Sequence, residues 1–270
     1  MNVLQAAFLG LVQGLSEFLP ISSSGHLILG AAVLGLPAPG LSFSIMVHLG
    51  TVLATVVMLW REVRWLVLGV FAPDDPSHRA RALGVAGLVL LGSLPAAVVA
   101  VLAGDVIGEA FSSPVVASAG LLVTGLALFF SRDAGKRASS ASPGILTTVG
   151  LGRAFIIGLA QAVAITPGVS RSGMTIATGL MTGVSREDSA RFSFLLAIPA
   201  VLGGALLDFR EAAGPVLTPT AITGAAVSFA AGVLALGVVF RAVRKGDLSK
   251  FAYYCWAVGL PSLIWFLVRR

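Results

Sequence analysis

Residues 13–26 read Gln13-Gly14-Leu15-Ser16-Glu17-Phe18-Leu19-Pro20-Ile21-Ser22-Ser23-Ser24-Gly25-His26. They interrupt an apolar stretch that opens at Val3 and resumes after His26 as far as Leu36. Gln13 and Glu17 are spaced i,i+4, so they share one helix face. Pro20 ends that helix, any of Ser22, Ser23 and Ser24 can cap the next, and Gly25 permits close backbone approach. Segment 3–36 therefore reads as two half-helices around a break, each too short to cross about 30 Å of hydrocarbon. Such a break is tolerated only where its backbone is buried in protein or faces a polar cavity. The reading predicts a re-entrant hairpin.

The pattern returns at 153–183, where Gln161, Thr166, Pro167, Gly168, Ser170, Arg171, Ser172, Gly173 and Thr175 break a second apolar region. Gly10-Leu11-Val12-Gln13 matches Gly158-Leu159-Ala160-Gln161, and Ser22-Ser23-Ser24-Gly25 matches Ser170-Arg171-Ser172-Gly173, both 148 residues apart. Phe43-Ser44 matches Phe192-Ser193 at an offset of 149. The chain reads as a duplicated unit, with a first repeat over 1–130, a linker over 131–152 rich in Ala, Ser and Gly, and a second repeat over 153–270.

Composition agrees with a membrane protein. Of 270 residues, 57% are hydrophobic and 11% charged, with a mean hydropathy of +0.97. Soluble domains carry about 25% charged residues, so a soluble globule and a disordered chain are both excluded. Apolar stretches at about 43–60, 83–104, 114–130, 187–207, 219–240 and 252–268 predict six spanning helices. Trp60, Trp65, Trp256, Trp265, Tyr253 and Tyr254 lie near span ends, as interfacial aromatics do. The start lacks the basic region of a cleavable signal peptide. The expected fold is an all-α polytopic membrane protein with six transmembrane helices and two re-entrant helical hairpins. One hairpin plus three spans per repeat, an odd number, turns the second copy upside down. This is the inverted-topology design, with its site near the midplane.

Charge placement fits that topology. Loops 61–82, 131–153, 184–191 and 241–250 should share one side, and they hold 14 of the 18 basic residues. The opposite loops, 37–42, 104–113 and 208–218, hold only Arg210 beside Asp105, Glu109, Asp208 and Glu211. The positive-inside rule then places both termini outside and opens the first hairpin outward; Arg269 and Arg270 count weakly against this. The net charge of +6 thus reflects orientation and not nucleic-acid binding. Cys255 is the single cysteine, so no intrachain disulfide is possible.

Of the 12 acidic residues, Glu17 alone is embedded in a long apolar stretch, and Arg171 is its basic counterpart. Ionisable groups at membrane depth are costly and mark function, although a pair that merely ties the hairpins together is the plainer reading. Two half-helix N-termini would aim N–H groups and positive dipole ends at the centre, a ready anion site. Arg171 adds a fork suited to phosphate oxygens. Ser22 and Ser170 are balanced between capping and ligand contact. His26, beside Gly25, suits a general acid/base or a nucleophile. His48 has a weaker claim, and His78 lies in a charged loop. Because Arg171 alone cannot neutralise a diphosphate, a divalent cation, Mg²⁺ or Ca²⁺, held by Glu17 and phosphate oxygens would complete the charge balance. No Cys/His cluster suggests zinc. The same architecture also suits a transporter of a phosphate-bearing solute.

The motif from Gln13 to His26, together with Pro167-Gly168-Val169-Ser170-Arg171-Ser172-Gly173-Met174-Thr175, resembles the two signatures of undecaprenyl-diphosphate phosphatases of the bacitracin-resistance type. Gly183-Val184-Ser185-Arg186-Glu187, Phe192-Ser193-Phe194-Leu195-Leu196 with Pro199, and Gly50-Thr51-Val52-Leu53-Ala54 extend the resemblance over nearly the whole chain. The family's first motif opens with Glu or Gln, and Gln13 is the uncharged variant, which weakens a carboxylate-pair metal site. The resemblance implies a bacterial inner-membrane hydrolase that removes the terminal phosphate of undecaprenyl diphosphate and recycles the lipid carrier of peptidoglycan synthesis. It also implies bacitracin resistance, a divalent cation and an outward-facing site. Under it, Glu17, Ser23, His26 and Arg171 are the expected catalytic residues, with Glu17 also on the metal. Gln13, Ser22, Ser24, Gly25, Ser170, Ser172, Gly173 and Thr175 are expected to bind substrate. Ser23 is the preferred nucleophile, with His26 as proton carrier; direct attack by His26 or by water stays open. The partners implied are the lipid substrate and membrane lipid, without nucleic acid; homodimerisation is left open.

Overall fold

A computed structural model describes residues 1–34, 40–72, 74–140, 144–211 and 215–269. The end of the first expected hairpin at 35–36, the linker centre at 141–143, parts of loops 37–42 and 208–218, and Arg270 lie outside them. So do the side chains of Asp208, Arg210 and Glu211. The described residues form twelve helices and no strand. In chain order these are α1 (Val3–Phe18), α2 (Ser23–Leu34), α3 (Leu41–Met58), α4 (Trp60–Val70), α5 (Pro76–Leu102), α6 (Gly104–Phe111), α7 (Pro114–Arg137), α8 (Leu151–Val163), α9 (Arg171–Met181), α10 (Arg186–Glu211), α11 (Pro219–Lys245) and α12 (Ser249–Val268).

Local sequence sets the helix ends. Asn2 and Gln5 form a reciprocal capping box at the start of α1, both bonds at 2.9 Å. Asp75, Ser113 and Thr218 cap α5, α7 and α11 through side-chain oxygens, and a proline follows each as the first helical residue. Proline is pre-organised there and its missing N–H is not needed. Gly246 closes α11 at φ +72°.

Among the described residues, six helices are long and apolar enough to cross a membrane: α3, α5, α7, α10, α11 and α12. They match the six expected spans, with shifted ends. Arg79 and Arg81 sit in the first turns of α5, and Arg132, Lys136 and Arg137 in the last turns of α7. Charged residues are sound helix formers, and cations suit a helix C-terminus, so these helices run past their apolar cores. Two short helices, α4 and α6, occupy stretches read from sequence as loops.

The remaining four helices make two pairs, α1 with α2 and α8 with α9. At about 1.5 Å per residue, the longest, α1, extends roughly 24 Å, short of a membrane core. These dimensions are compatible with re-entrant hairpins. The packing is compatible with an inverted repeat. Matching the repeats pairs α1 with α8, α2 with α9, α3 with α10, α5 with α11 and α7 with α12. Helix α1 then packs on α11 as α8 packs on α5, and α3 packs on α11 as α10 packs on α5, while α3 meets α10 and α7 meets α12 across the centre. The closest approaches repeat too: Gly10 lies against the Gly224 backbone and Gly158 against Gly92. Packing between membrane helices depends on small residues that let backbones touch.

The basic loops converge on one side. Arg186 donates to Gly135 O at 2.7 Å, Lys136 O at 2.7 Å and Arg244 O at 3.0 Å, joining the C-terminal ends of α7 and α11 to the start of α10. Arg191 Nε meets Glu62 Oε1 at 3.0 Å. The end of the linker is held by buried Asp188, which accepts from Leu146 N at 3.1 Å, Thr148 N at 2.9 Å and Thr148 Oγ1 at 2.7 Å.

The break before α9 is pinned by α7. Gly168 adopts φ +85° and its Cα faces the Ala117 carbonyl. Thr124 Oγ1 lies 3.1 Å from Gly168 O and accepts Ser170 N at 2.8 Å. Gly168→Ala is expected to cost about 2 kcal/mol or more, from the left-handed backbone and the blocked contact. The thermal midpoint of purified protein in detergent checks this. Gly30→Ala, where added volume meets open space, should leave the midpoint unchanged or raise it.

Candidate active site

Ser22 and Ser170 hold twin positions before α2 and α9 and make twin bonds. Ser22 Oγ accepts Gly25 N at 3.2 Å, and Ser170 Oγ accepts Gly173 N at 3.1 Å. Their hydroxyls lie 3.2 Å from those of Ser24 and Ser172 respectively. The two breaks also touch, since Ser24 Oγ lies 3.4 Å from Gly168 N. A Cβ at Gly25 would sit 3.0 Å from Gly168 Cα, so glycine is what lets the breaks meet. Ser22 is itself left-handed, at φ +69°, a conformation that costs a non-glycine residue roughly 1–2 kcal/mol.

Chemistry diverges within this shared frame. The first residue of α2 is Ser23 and the first of α9 is Arg171, again 148 apart, while the counterpart of Glu17 is Ile165. Glu17, one turn before Pro20, gathers all three nearby donors. Its Oε1 accepts from Arg171 Nη2 at 2.7 Å, and its Oε2 accepts from Ser23 Oγ at 2.7 Å and Gln13 Nε2 at 3.0 Å. The Glu17 and Arg171 side chains are only 8% and 14% exposed. At that burial the pair is strongly coupled and removing one partner strands the other.

These groups line a cavity of ≈ 920 Å³, which holds Gln13, Glu17, Ser22, Ser23, Ser24, Ser170 and Arg171 from the sequence-derived site. The remaining members stand outside the lining. Thr175 and Ser172 are fully buried. Thr175 Oγ1 donates to Arg171 O at 2.8 Å and lies 2.6 Å from Ser193 Oγ, so it braces the turn that carries Arg171. Gly25 and Gly173 face the capping serines. His26 is also off the cavity. Its Nδ1 donates to Ser22 O at 2.7 Å, which fixes the tautomer, and Nε2 accepts from Tyr254 Oη at 2.8 Å. Its ring stacks on Tyr254 with centroids 5.6 Å apart.

His48 and Gln161 also line the cavity. His48 is held by its Nδ1 on Ser44 O at 2.8 Å. Gln161 is the twin of Gln13; the 148-residue match flagged it, but nothing in its surroundings singled it out as a site residue. Three side chains at the centre have polar atoms buried without a hydrogen-bond partner: Gln13 Oε1, Gln161 Oε1 and Nε2, and Arg171 Nη1. Much of the remaining wall is small and apolar, as at Ala97, Ala100, Gly203 and Gly204.

Among the described residues no group of three or more His, Cys, Asp or Glu could hold a metal ion. A tightly caged metal therefore does not fit. A hard cation carried mainly by substrate oxygens does fit, because Glu17 and the free amide oxygen of Gln13 are oxygen donors of the type Mg²⁺ and Ca²⁺ prefer.

Fold and site define a polytopic helical membrane protein whose polar centre joins two broken helical pairs through one buried ion pair. A family model described as "Bacitracin resistance protein BacA" matches residues 6–261, and the chain belongs to that family. It is 40% identical over 279 residues to the undecaprenyl-diphosphatase of Desulforapulum autotrophicum, covering 98% of each chain. Proteins of the same name from Bacteroides fragilis, 39% identical with 98% of each chain covered, and Moorella thermoacetica, 39% identical over the full length of both, are similar to it.

The ion pair yields a test by double substitution. Arg171→Met alone should cost about 3–5 kcal/mol by leaving Glu17 buried and unpaired. Adding Glu17→Gln should recover much of that loss, since neither charge then remains. Thermal midpoints of the two variants in detergent check the recovery.

Proposed function

We propose that this chain is an integral membrane phosphatase that hydrolyses undecaprenyl diphosphate to undecaprenyl phosphate and inorganic phosphate. It thereby recycles the lipid carrier for cell-wall synthesis and confers bacitracin resistance. The observation that carries this reading is Ser23 Oγ, 2.7 Å from a Glu17 carboxylate whose other oxygen is paired with Arg171, in a cavity with both a charged centre and an apolar wall. The names of the relatives agree with it.

In this reading the prenyl tail lies along the apolar wall and the diphosphate enters the centre. Ser23 Oγ attacks the terminal phosphorus and its proton passes to Glu17. The bond from that phosphorus to the bridging oxygen breaks, and undecaprenyl phosphate leaves with the electron pair. Water then attacks the phosphoserine, the bond from phosphorus to Ser23 Oγ breaks, Ser23 Oγ takes its proton back from Glu17, and phosphate leaves carrying the water's oxygen and protons. Arg171 and the half-helix N–H groups stabilise charge on the transferring phosphoryl. A divalent cation, held by Glu17, Gln13 Oε1 and substrate oxygens, would neutralise diphosphate charge. Two alternatives are direct attack by water and attack by His26, for which the His26 ring would have to leave Tyr254. As the residues stand, His26 acts on the site through Ser22, whose carbonyl it holds.

We place the protein in a bacterial inner membrane with both termini and the cavity mouth outside. The convergence of the basic loops on one side supports this orientation, as does a cavity lining that reaches Phe43, Phe111 and Leu207 at the opposite ends of the helices.

Phosphate release from a long-chain prenyl diphosphate by purified protein tests the reading. Glu17→Ala and Arg171→Ala should each reduce turnover by about 10²-fold or more, and EDTA should suppress it. Near-normal turnover in Ser23→Ala would remove Ser23 as nucleophile. Wild-type protein that is folded, supplied with metal and releases no phosphate would favour a transporter.

A further inference from the structure

Gln161 lines the cavity while only 2% exposed, and neither its Nε2 nor its Oε1 has a hydrogen-bond partner. A buried primary amide with both ends unpaired costs free energy in a folded protein, several times the gain from a typical hydrogen bond. Its twin, Gln13, is half satisfied, because Gln13 Nε2 donates to Glu17 Oε2. Gln161 has no such partner because Ile165 stands where a second Glu17 would be. The second repeat thus keeps the amide but lacks the carboxylate that would occupy it.

The surroundings say what the amide faces. Arg171 Nη1, on the helix that follows Gln161 in the same broken pair, is another buried donor without a partner, and Arg171 lines the same cavity. The second-repeat wall brings Gln161, Ile165, Ser170 and Arg171 to the cavity, a cation and neutral donors with no carboxylate among its described lining residues. That wall attracts an anion and repels a free cation, whereas the first-repeat wall carries Glu17. An acidic residue at 161 would offset the positive charge that Arg171 brings to the same cavity. A neutral donor adds a hydrogen bond to an anion without disturbing that balance.

We propose that Gln161 is a substrate-binding residue whose Nε2–H donates to a phosphoryl oxygen of the diphosphate beside Arg171 Nη1. The two repeats then divide the headgroup. The first supplies the carboxylate and hydroxyl that do the chemistry, and the second supplies the donors that hold the phosphoryl group. This rests on the phosphatase reading and adds a residue to it. Because the contact is to the phosphoryl group, inorganic diphosphate and a prenyl diphosphate should feel it alike.

The test compares full-length wild type, Gln161→Leu and Gln161→Glu in detergent with Mg²⁺. It measures inorganic diphosphate binding by calorimetry, kcat/KM on a prenyl diphosphate, and thermal midpoint. Gln161→Leu should keep or raise the midpoint, since an unpaired buried amide is removed, while diphosphate affinity and kcat/KM each fall about tenfold. Gln161→Glu should lose more of both, through repulsion of the anion. Unchanged affinity and kcat/KM in Gln161→Leu would overturn the proposal. So would losses that track a fall in midpoint, or a loss confined to the prenyl diphosphate, either of which makes Gln161 a packing residue. If wild type binds diphosphate but releases no phosphate, the phosphatase reading fails and the binding arm still judges Gln161.

Discussion

Glu17 and Arg171 meet at 2.7 Å in the middle of an apolar molecule, and most of the architecture serves to make that contact tolerable. The cost of removing an ion pair from water falls as its remaining donors and acceptors are satisfied, which Arg171 Nη1 leaves incomplete. Glu17 is satisfied by Ser23 and Gln13 as well as Arg171. The pair also fixes the relation between the repeats, because its partners come from different broken helical pairs. Proline and glycine end each helix early, and serine oxygens and Thr124 take up the freed backbone groups that hydrocarbon cannot solvate.

The two broken helical pairs, alike in sequence at an offset of 148 residues, bring two helix N-termini and two sets of serines together. Divergence at three twin pairs then creates chemistry. At the 148-residue offset Glu17 corresponds to Ile165, Ser23 to Arg171 and His26 to Met174. A symmetric pair of carboxylates would repel, and a symmetric pair of arginines would leave no base. The centre is asymmetric, with a carboxylate from one broken pair and a guanidinium from the other.

The placement of the other expected residues shows a second layer. Thr175 braces the Arg171 turn through Arg171 O and Ser193 Oγ. His26 clamps the left-handed Ser22 through its carbonyl and leans on Tyr254 from the far side of the chain. These contacts hold a strained segment in one position, so the groups that face the cavity need not reorganise.

Much of the fold was legible in the sequence. Apolar length marked the six spans, and Pro20 and the serine runs marked the breaks, because each depends on local chemistry; the 148-residue self-similarity predicted a duplication with which the helix packing is compatible. Embedded charge marked Glu17 and Arg171 for the same reason: no local environment excuses it. The sequence did not reveal α4 and α6, whose faces follow from packing, or the helical extension of α5 and α7 into charged residues. Tertiary structure alone decided which polar residues face the cavity. It put Gln161 and His48 into the lining and left His26 and Thr175 beside it, because residues one helical turn apart point in directions fixed only by the packed neighbours.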